Sequence, residues 1–148
     1  MKKGITFGAF DLFHAGHVLM LEEAKTVCDY LIVGLQTDPS FDRKEKNKPV
    51  QSLIEREIQV SGCKFTDEVI IYDREAEVLD ILDKVDWDVR IIGEEYKEKE
   101  FTGRKKTLTS DLSNICFNID SSRADRIQEA YLFLNHTICE MVEKKIFT

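Results

Sequence analysis

Largely apolar runs of five or six residues recur four times in this chain, and a helical pattern separates each run from the next. The runs cover residues 3–8, 31–35, 68–72 and 89–93. Short runs of this kind are typical of strands buried in a sheet. A single helix between consecutive strands returns the chain to its starting edge, which predicts parallel pairing and right-handed crossovers. The sequence therefore predicts an α/β fold with a parallel sheet.

Three segments between the runs carry helical signals. In residues 16–28, apolar side chains recur at helical spacing, at Val18, Leu21, Ala24 and Cys28. Ser52 and Glu55 have the spacing of a capping box, which predicts a helix that runs to about Ser61 and ends at Gly62. Residues 75–85 place their apolar side chains on one helical face, which predicts a third helix.

Composition limits the class of protein. A chain of 148 residues with 43% apolar residues suits one domain with one core. The net charge of −7 argues against a nucleic-acid partner, which needs a basic face. We expect no membrane partner, because no apolar run approaches the ~20 residues of a span and the N-terminus shows no signal peptide. The four cysteines form no C-x-x-C pair, which favours free thiols and a cytoplasmic location.

The first strand leads into the segment His14-Ala15-Gly16-His17, directly before the first predicted helix. A helix N-terminus favours bound anions through its unpaired amides and its dipole. Gly16 lets a ligand approach the backbone, and imidazoles bind phosphate oxygens as cations or as hydrogen-bond donors. The segment therefore predicts a phosphate site at the carboxyl end of the first strand. The alternative is that both histidines are ordinary surface or core residues.

The residues from Thr6 to Asp11 (TFGAFD), followed by His14 to His17 (HAGH), resemble the HxGH nucleotidylyltransferases. Within that family the chain is most similar to the cytidylyltransferases, and among these to the glycerol-3-phosphate cytidylyltransferases. The likeness covers residues 1–103 and is most specific at the HxGH segment. It implies a Rossmann-like three-layer fold, with helices on both faces of a parallel sheet, in a single domain spanning residues 1–148.

The resemblance implies nucleotidyl transfer from CTP to a small phosphorylated alcohol, with glycerol 3-phosphate as the first candidate. His14 and His17 would be the catalytic donors to the triphosphate, and the amides of Ala9 and Phe10 would line the same nucleotide pocket. Mg²⁺ is the expected cofactor, with no residue of the chain assigned as its ligand. The products would be a CDP-alcohol and pyrophosphate. The family usually dimerises, so we expect a homodimer.

A charged loop with the sequence RKEKNK spans residues 43–48. The resemblance assigns Lys44 to the acceptor phosphate, as a catalytic and substrate-binding residue, and Lys46 to the nucleotide phosphates. The alternative is a solvated run of charges, which is what most such segments are.

Four further residues receive roles. The resemblance assigns Arg56 and Lys64 to substrate binding, although Arg56 would also suit a surface helix and Lys64 stands where the family prefers arginine. It assigns Glu94, in the segment Gly93-Glu94-Glu95-Tyr96, to the nucleotide pocket, with a polar turn as the alternative. Asp11 is expected to hold the loop or to cap the helix.

Beyond Gly103 the resemblance ends, and residues 104–148 form a divergent tail without the family's arginine-threonine-glutamate-glycine turn. Ser121, Ser122 and Arg123 could stand in for its serine/threonine cluster, but an ordinary N-capped helix from Ser121 to about Lys145 is the preferred interpretation. Synonymous codons exist for which a one-base shift from Arg123 onward reads RTE and then SKKHISSSTTR. We hypothesise a frameshift in the gene or its record, which the nucleotide sequence tests.

Three other functions stay open. An adenylyltransferase of the same superfamily, acting on a sugar phosphate, phosphopantetheine or a flavin, would share the HxGH segment. A non-catalytic nucleotide-binding protein would follow if the divergent tail weakens triphosphate binding. An α/β domain without a nucleotide role would leave the two histidines unexplained.

Overall fold

The computed structural model describes residues 1–93, Thr102 and residues 117–119. The elements in chain order are β1 (Lys3–Gly8), α1 (Ala15–Ala24), β2 (Tyr30–Gln36), a 3₁₀ turn (Pro39–Phe41), α2 (Leu53–Ser61), β3 (Glu68–Tyr72), α3 (Glu77–Lys84), β4 (Val89–Gly93) and β5 (Phe117–Ile119). The four strands expected from the sequence are confirmed.

The described strands form one parallel sheet in the order β3-β2-β1-β4-β5. The chain starts in the middle of the sheet, builds outward through β2 and β3, and then crosses back to place β4 on the other side of β1. Strand order therefore reverses between β1 and β4, as in doubly wound folds, whose ligands bind beyond the carboxyl ends at such a reversal. The predicted Rossmann-like α/β class is confirmed.

Two apolar clusters cover the two faces of the sheet. Alternate residues of β2 point to opposite faces: Leu31, Val33 and Leu35 pack with residues of α1 and α2, whereas Ile32 packs with residues of α3. All four are between 0% and 2% exposed. At about 1.5–3 kcal/mol for each fully buried aliphatic side chain, these contacts fix both layers of helices on the sheet.

Helix α1 ends earlier than the apolar stripe over residues 16–28 predicts. It stops at Ala24, because the chain then turns through i→i−3 hydrogen bonds from Thr26 N to Glu23 O and from Val27 N to Ala24 O. The side chains of Thr26 and Cys28 also donate to these two carbonyls, at 2.6 and 3.2 Å. Side chains that take the last carbonyls compete with further helical turns. Cys28 still packs in the core, although it lies outside the helix.

The other helices lie close to their predicted positions. The predicted capping box starts α2: Ser52 accepts from the amide of Glu55, and Glu55 accepts from the amide of Ser52. Gly62 ends that helix with φ at −75°, so no left-handed conformation is involved. Helix α3 covers Glu77–Lys84 rather than residues 75–85. Among the described residues, no helix is long and apolar enough to span a membrane.

Strand β5 is not predicted by the sequence analysis. Phe117–Ile119 pairs in parallel with β4, with Ile91 opposite Phe117 and Gly93 opposite Ile119. A strand beyond the predicted fourth one therefore extends the sheet from the divergent tail. The preferred tail helix from Ser121 to Lys145 and its serine cluster lie outside the described residues.

Candidate active site

A cavity of about 470 Å³ opens at the carboxyl edge of the sheet. Its walls come from the ends of the strands and the segments after them, including Ala9, Phe10 and His17 after β1, Gln36 at the end of β2, Lys46 in the loop after β2, and Tyr72 at the end of β3. This is where parallel sheets bind their ligands. The structure thus places Ala9, Phe10, His17 and Lys46, four of the residues predicted to bind nucleotide, in one cavity.

The loop after β1 is held in a strained backbone conformation. Phe10 and Leu12 both have φ at +47°, a left-handed conformation that costs non-glycine residues about 1 kcal/mol each. Asp11, between them, accepts from the amides of Val50 and Gln51 at 2.8 and 2.9 Å. Asp11 therefore holds the loop to the segment before α2, as one of its two predicted roles requires, and does not cap α1.

The two imidazoles themselves form the cap of α1. His14 is the N-cap residue, and its Nδ1 accepts from the amide of Gly16 at 3.0 Å. His17 Nδ1 accepts from the amide of His14 at 3.3 Å. The ring centroids are 4.0 Å apart with an interplanar angle of 27°. Reciprocal capping by two side chains brings the rings together at the helix N-terminus.

Burial keeps both histidines neutral near pH 7. It lowers the pKa of His14, and it lowers the pKa of His17 to about 4, with a further contribution from neighbouring His14. Because Nδ1 of each ring accepts an amide hydrogen, the neutral ring carries its proton on Nε2. Of the two roles considered for the imidazoles, cation or donor, neutral rings favour the donor role.

Arg56 lies beneath the site rather than at the surface. It is 2% exposed, and its guanidinium donates to four backbone carbonyls, at distances of 2.5–3.3 Å: those of Ala9, Gln36, Thr37 and Gln51. The alternative interpretation of Arg56 as a surface helix charge is therefore excluded. The guanidinium joins the loops after β1 and β2 to the segment before α2, and the structure does not place Arg56 in the cavity wall.

The two lysines of the charged loop differ in position. Lys46 lines the cavity, and its amide donates to Arg43 O at 2.9 Å, which closes a turn. Lys44 is exposed in the same turn and does not line the cavity. Neither ammonium group forms an ion pair with any residue that the structure describes. The turn therefore presents two lysines beside the cavity with their charges available.

Lys64 lies at the opposite edge of the sheet, so within one chain the structure does not bring it to the predicted substrate site. It belongs to the loop between α2 and β3, and helix α2 has by then returned the chain to the amino ends of the strands. Asp67, in the same loop, donates its amide to Leu31 O near the start of β2. The ammonium group lies 4.6 Å from the ring centroid of Phe65. Glu94 lies outside the described residues.

The polar residues of the cavity wall that were not predicted from the sequence include Gln36, Tyr72, Glu75 and Arg90. Arg90 is 5% exposed and its Cζ lies 5.3 Å from the centroid of the Phe7 ring. A charged residue within an apolar strand is a detectable signal, because charges are rarely buried without a role. Burial also raises the pKa of Tyr72, which keeps its hydroxyl protonated.

The described residues do not form a cage for a metal ion. No group of three potential metal-ligating side chains occurs among them. Glu75 supplies a carboxylate to the cavity wall, and Arg43 already pairs with it. Mg²⁺ commonly binds through one or two carboxylates together with substrate phosphates. Within the part of the chain that the structure describes, a bound Mg²⁺ would therefore depend on the phosphates of a ligand for its coordination.

Replacing Arg56 by lysine tests the buried guanidinium. One ammonium group cannot span four carbonyls, so Arg56→Lys leaves buried acceptors unpaired, and we expect the free energy of unfolding to fall by about 2–4 kcal/mol. Arg74→Lys, at a half-exposed arginine, is the matched control and should change the free energy of unfolding by less than about 0.5 kcal/mol. Urea denaturation measures both, and equal stabilities of the two variants would contradict the assignment.

Comparison with known proteins agrees with this geometry. The chain is 40% identical over 99 residues to glycerol-3-phosphate cytidylyltransferase from Bacillus spizizenii, covering 67% of this chain and 76% of that protein. It is 40% identical over 105 residues to the bifunctional protein HldE from Campylobacter concisus, covering 69% of this chain but 22% of that protein. The chain therefore spans about a fifth of the length of this larger relative.

A solved structure shares the fold. The lipopolysaccharide core biosynthesis protein from Thermoplasma volcanium superposes with a TM-score of 0.60 at 27% identity, covering 76% of this chain and 86% of that one. The sequence model described as cytidylyltransferase-like matches residues 5–131, and thus extends past Gly103 into the tail. With the imidazole pair, the cavity and this match in agreement, the chain belongs to the cytidylyltransferase-like family.

Proposed function

We propose that this protein transfers a cytidylyl group from CTP to a small phosphorylated alcohol, with glycerol 3-phosphate as the acceptor. The observation that carries the proposal is the stacked imidazole pair at the N-terminus of α1: His17 lines the cavity that Lys46 also lines, and His14, which is not part of the cavity wall, stacks on His17. The relative from Bacillus spizizenii, named for glycerol 3-phosphate, supports the choice of acceptor.

The reaction requires little covalent work from the protein. An oxygen of the acceptor phosphate attacks the α-phosphorus of CTP, the bond from that phosphorus to the bridging oxygen breaks, and pyrophosphate leaves with the electron pair. Negative charge builds up on the phosphoryl oxygens as this happens. His14 and His17 would donate to those oxygens, since preorganised donors stabilise developing charge without reorganisation.

The remaining cations would divide between the two substrates. Lys46, in the cavity wall, would neutralise the nucleotide phosphates, and Lys44, in the same turn, would hold the acceptor phosphate. Arg56 would act on both only through the loops that it joins. Mg²⁺ would enter bound to the triphosphate oxygens. A cytoplasmic location would supply both substrates, and the free thiols of Cys28 and Cys63 are consistent with it.

An assay of pyrophosphate release tests the proposal. Release should require both CTP and glycerol 3-phosphate, with ATP and unphosphorylated glycerol as negative controls. His14→Asn and His17→Gln, which place a suitable capping residue at the N-cap and N3 positions of α1, should each lower kcat by about a hundredfold or more. His136→Ala, at the third histidine of the chain, is the matched control.

Three outcomes would contradict the proposal. Release that prefers ATP would make the chain an adenylyltransferase. CTP binding without release, measured by thermal shift, would make it a non-catalytic nucleotide-binding protein. Near wild-type turnover in both histidine variants would separate the activity from the imidazole pair.

We also propose that the protein is a homodimer that uses the outer face of α2. Ile54 and Ile58 are one helical turn apart on this face and are 68% and 66% exposed, and nearby in sequence Val50 is 77% exposed. Solvent-exposed apolar side chains at this spacing are typical of a helix that packs against a partner.

Sedimentation velocity of the full chain tests the dimer. The wild-type protein should sediment as a dimer at micromolar concentration, and Ile54→Glu/Ile58→Glu as a monomer, because two buried charges would face the partner. Leu79→Gln, at an exposed position of α3, is the control and should remain dimeric. A monomeric wild-type protein would contradict the proposal.

A further inference from the structure

We propose that the ion pair between Arg43 and Glu75 is a positioning clip, which holds the turn that carries Lys44 and Lys46 beside the cavity. The inference rests on the proposed function, in which these two lysines bind the substrate phosphates. It adds two residues whose part is to place the lysines rather than to touch the substrates.

The pair itself has the geometry of a two-point contact. Arg43 Nε lies 2.5 Å from Glu75 Oε1, and Arg43 Nη2 donates to Glu75 Oε2 at 3.1 Å. The two side chains are 28% and 25% exposed. One hydrogen bond and one ion-pair contact, made by two nitrogens of a planar guanidinium to the two oxygens of a carboxylate, fix orientation as well as distance. The side chain of Arg43 is therefore set in direction by the residue at the start of the segment that leads into α3.

The neighbouring residue Asp42 adds a second attachment at the same place. Its Oδ2 accepts from Gln36 Nε2 at 3.1 Å and from the amide of Glu75 at 2.9 Å. Gln36 is the last residue of β2 and is 5% exposed. Two consecutive loop residues, Asp42 and Arg43, are thus both tied to Glu75, and one of them is also tied to the end of a central strand.

Thr102 adds a connection from a third part of the chain. Its hydroxyl donates to Glu75 Oε2 at 3.2 Å, and Thr102 follows β4. The carboxylate of Glu75 therefore collects contacts from the chain segments that follow β2 and β4, while its own residue follows β3. All three segments meet at the carboxyl edge of the sheet, where the cavity opens.

The clip acts at the start of the turn with the two lysines. Lys46 donates its amide to Arg43 O, so residues 43–46 form one turn whose first residue is the clipped one. At its far end, the loop is attached to Asp11, whose carboxylate accepts from the amides of Val50 and Gln51. Fixing both ends of a short segment lowers the entropy that the lysines lose when a ligand orders them.

The distribution of charge distinguishes the residues that position the turn from the residues that would bind phosphate. The guanidinium and the carboxylate neutralise each other, so the pair adds no net charge to the cavity, whereas the ammonium groups of Lys44 and Lys46 have no ion-pair partner in the described part of the chain. Compared with the Arg43–Glu75 pair, the two lysines therefore offer a phosphate the available positive charge. The role of Arg43 and Glu75 is to keep those cations in place.

A double-mutant cycle tests the clip with Arg43→Gln, Glu75→Gln and the double variant. Two readouts apply: kcat/KM with CTP and glycerol 3-phosphate, and the rate at which the lysine-specific protease Lys-C cleaves the folded protein after Lys44 and Lys46. Each single variant should lose about tenfold in kcat/KM and be cleaved faster, and the double variant should show no further change, since both substitutions break one clip.

The controls separate this inference from the proposed function. Asp86→Asn breaks the Lys3–Asp86 ion pair at the opposite edge of the sheet and should change neither readout. If the wild-type protein releases no pyrophosphate, the cleavage rates still decide the clip. Additive losses in the cycle, which would mean direct substrate contacts, or unchanged cleavage rates in both single variants, would overturn it.

Discussion

The site depends on a buried guanidinium. Arg56 is held at a helix position facing the sheet and donates to four backbone carbonyls, those of Ala9, Gln36, Thr37 and Gln51. Burial lowers the pKa of Arg56, and the nearby carboxylates of Asp11 and Asp38 oppose that effect. The guanidinium supplies hydrogen bonds to these loop carbonyls where water is excluded. The loops that shape the cavity can therefore lie close together.

Burial of the two imidazoles also shapes the electrostatics of the cavity. An acidic protein, with a net charge of −7, has to receive an anionic ligand through local donors. The imidazoles contribute oriented N–H groups rather than charge, because burial lowers the pKa of both rings. Lys46 and Arg90 add full positive charges to the cavity wall. This arrangement avoids placing two adjacent unpaired cations in a confined site, which would be costly.

Local patterns in the sequence predict the architecture and the centre of the site. The four apolar runs and the Ser52–Glu55 box are short-range signals, and the HxGH segment combines a strand end with a helix start. The role of Arg56 could not be found in the same way, since its partners are backbone carbonyls up to 47 residues away. A signal was nevertheless present, because Arg56 shares a helical face with Leu53 and Val60.

Other differences between the predictions and the structure arise where contacts between distant parts of the chain set the position of a residue or the end of a helix. The distance along the chain does not show that α2 returns Lys64 to the far edge of the sheet, whereas the parallel pairing of β2 and β3 requires it. The early end of α1 depends on the Thr26 and Cys28 side chains, which compete with an apolar stripe that continues past Ala24. The contacts of Glu75 join residues from three loops, and only the assembled sheet brings these loops together.

The central claim is that neutral imidazoles donate to a nucleotide's phosphates, and NMR of ¹⁵N-labelled histidine side chains tests it most directly. In the free protein at pH 7, His14 and His17 should be neutral with the proton on Nε2, His17 should titrate with a pKa of about 4, and CTP should shift the signals of both rings. Protonated rings at pH 7 in the free protein, or signals that CTP leaves unchanged, would contradict the account.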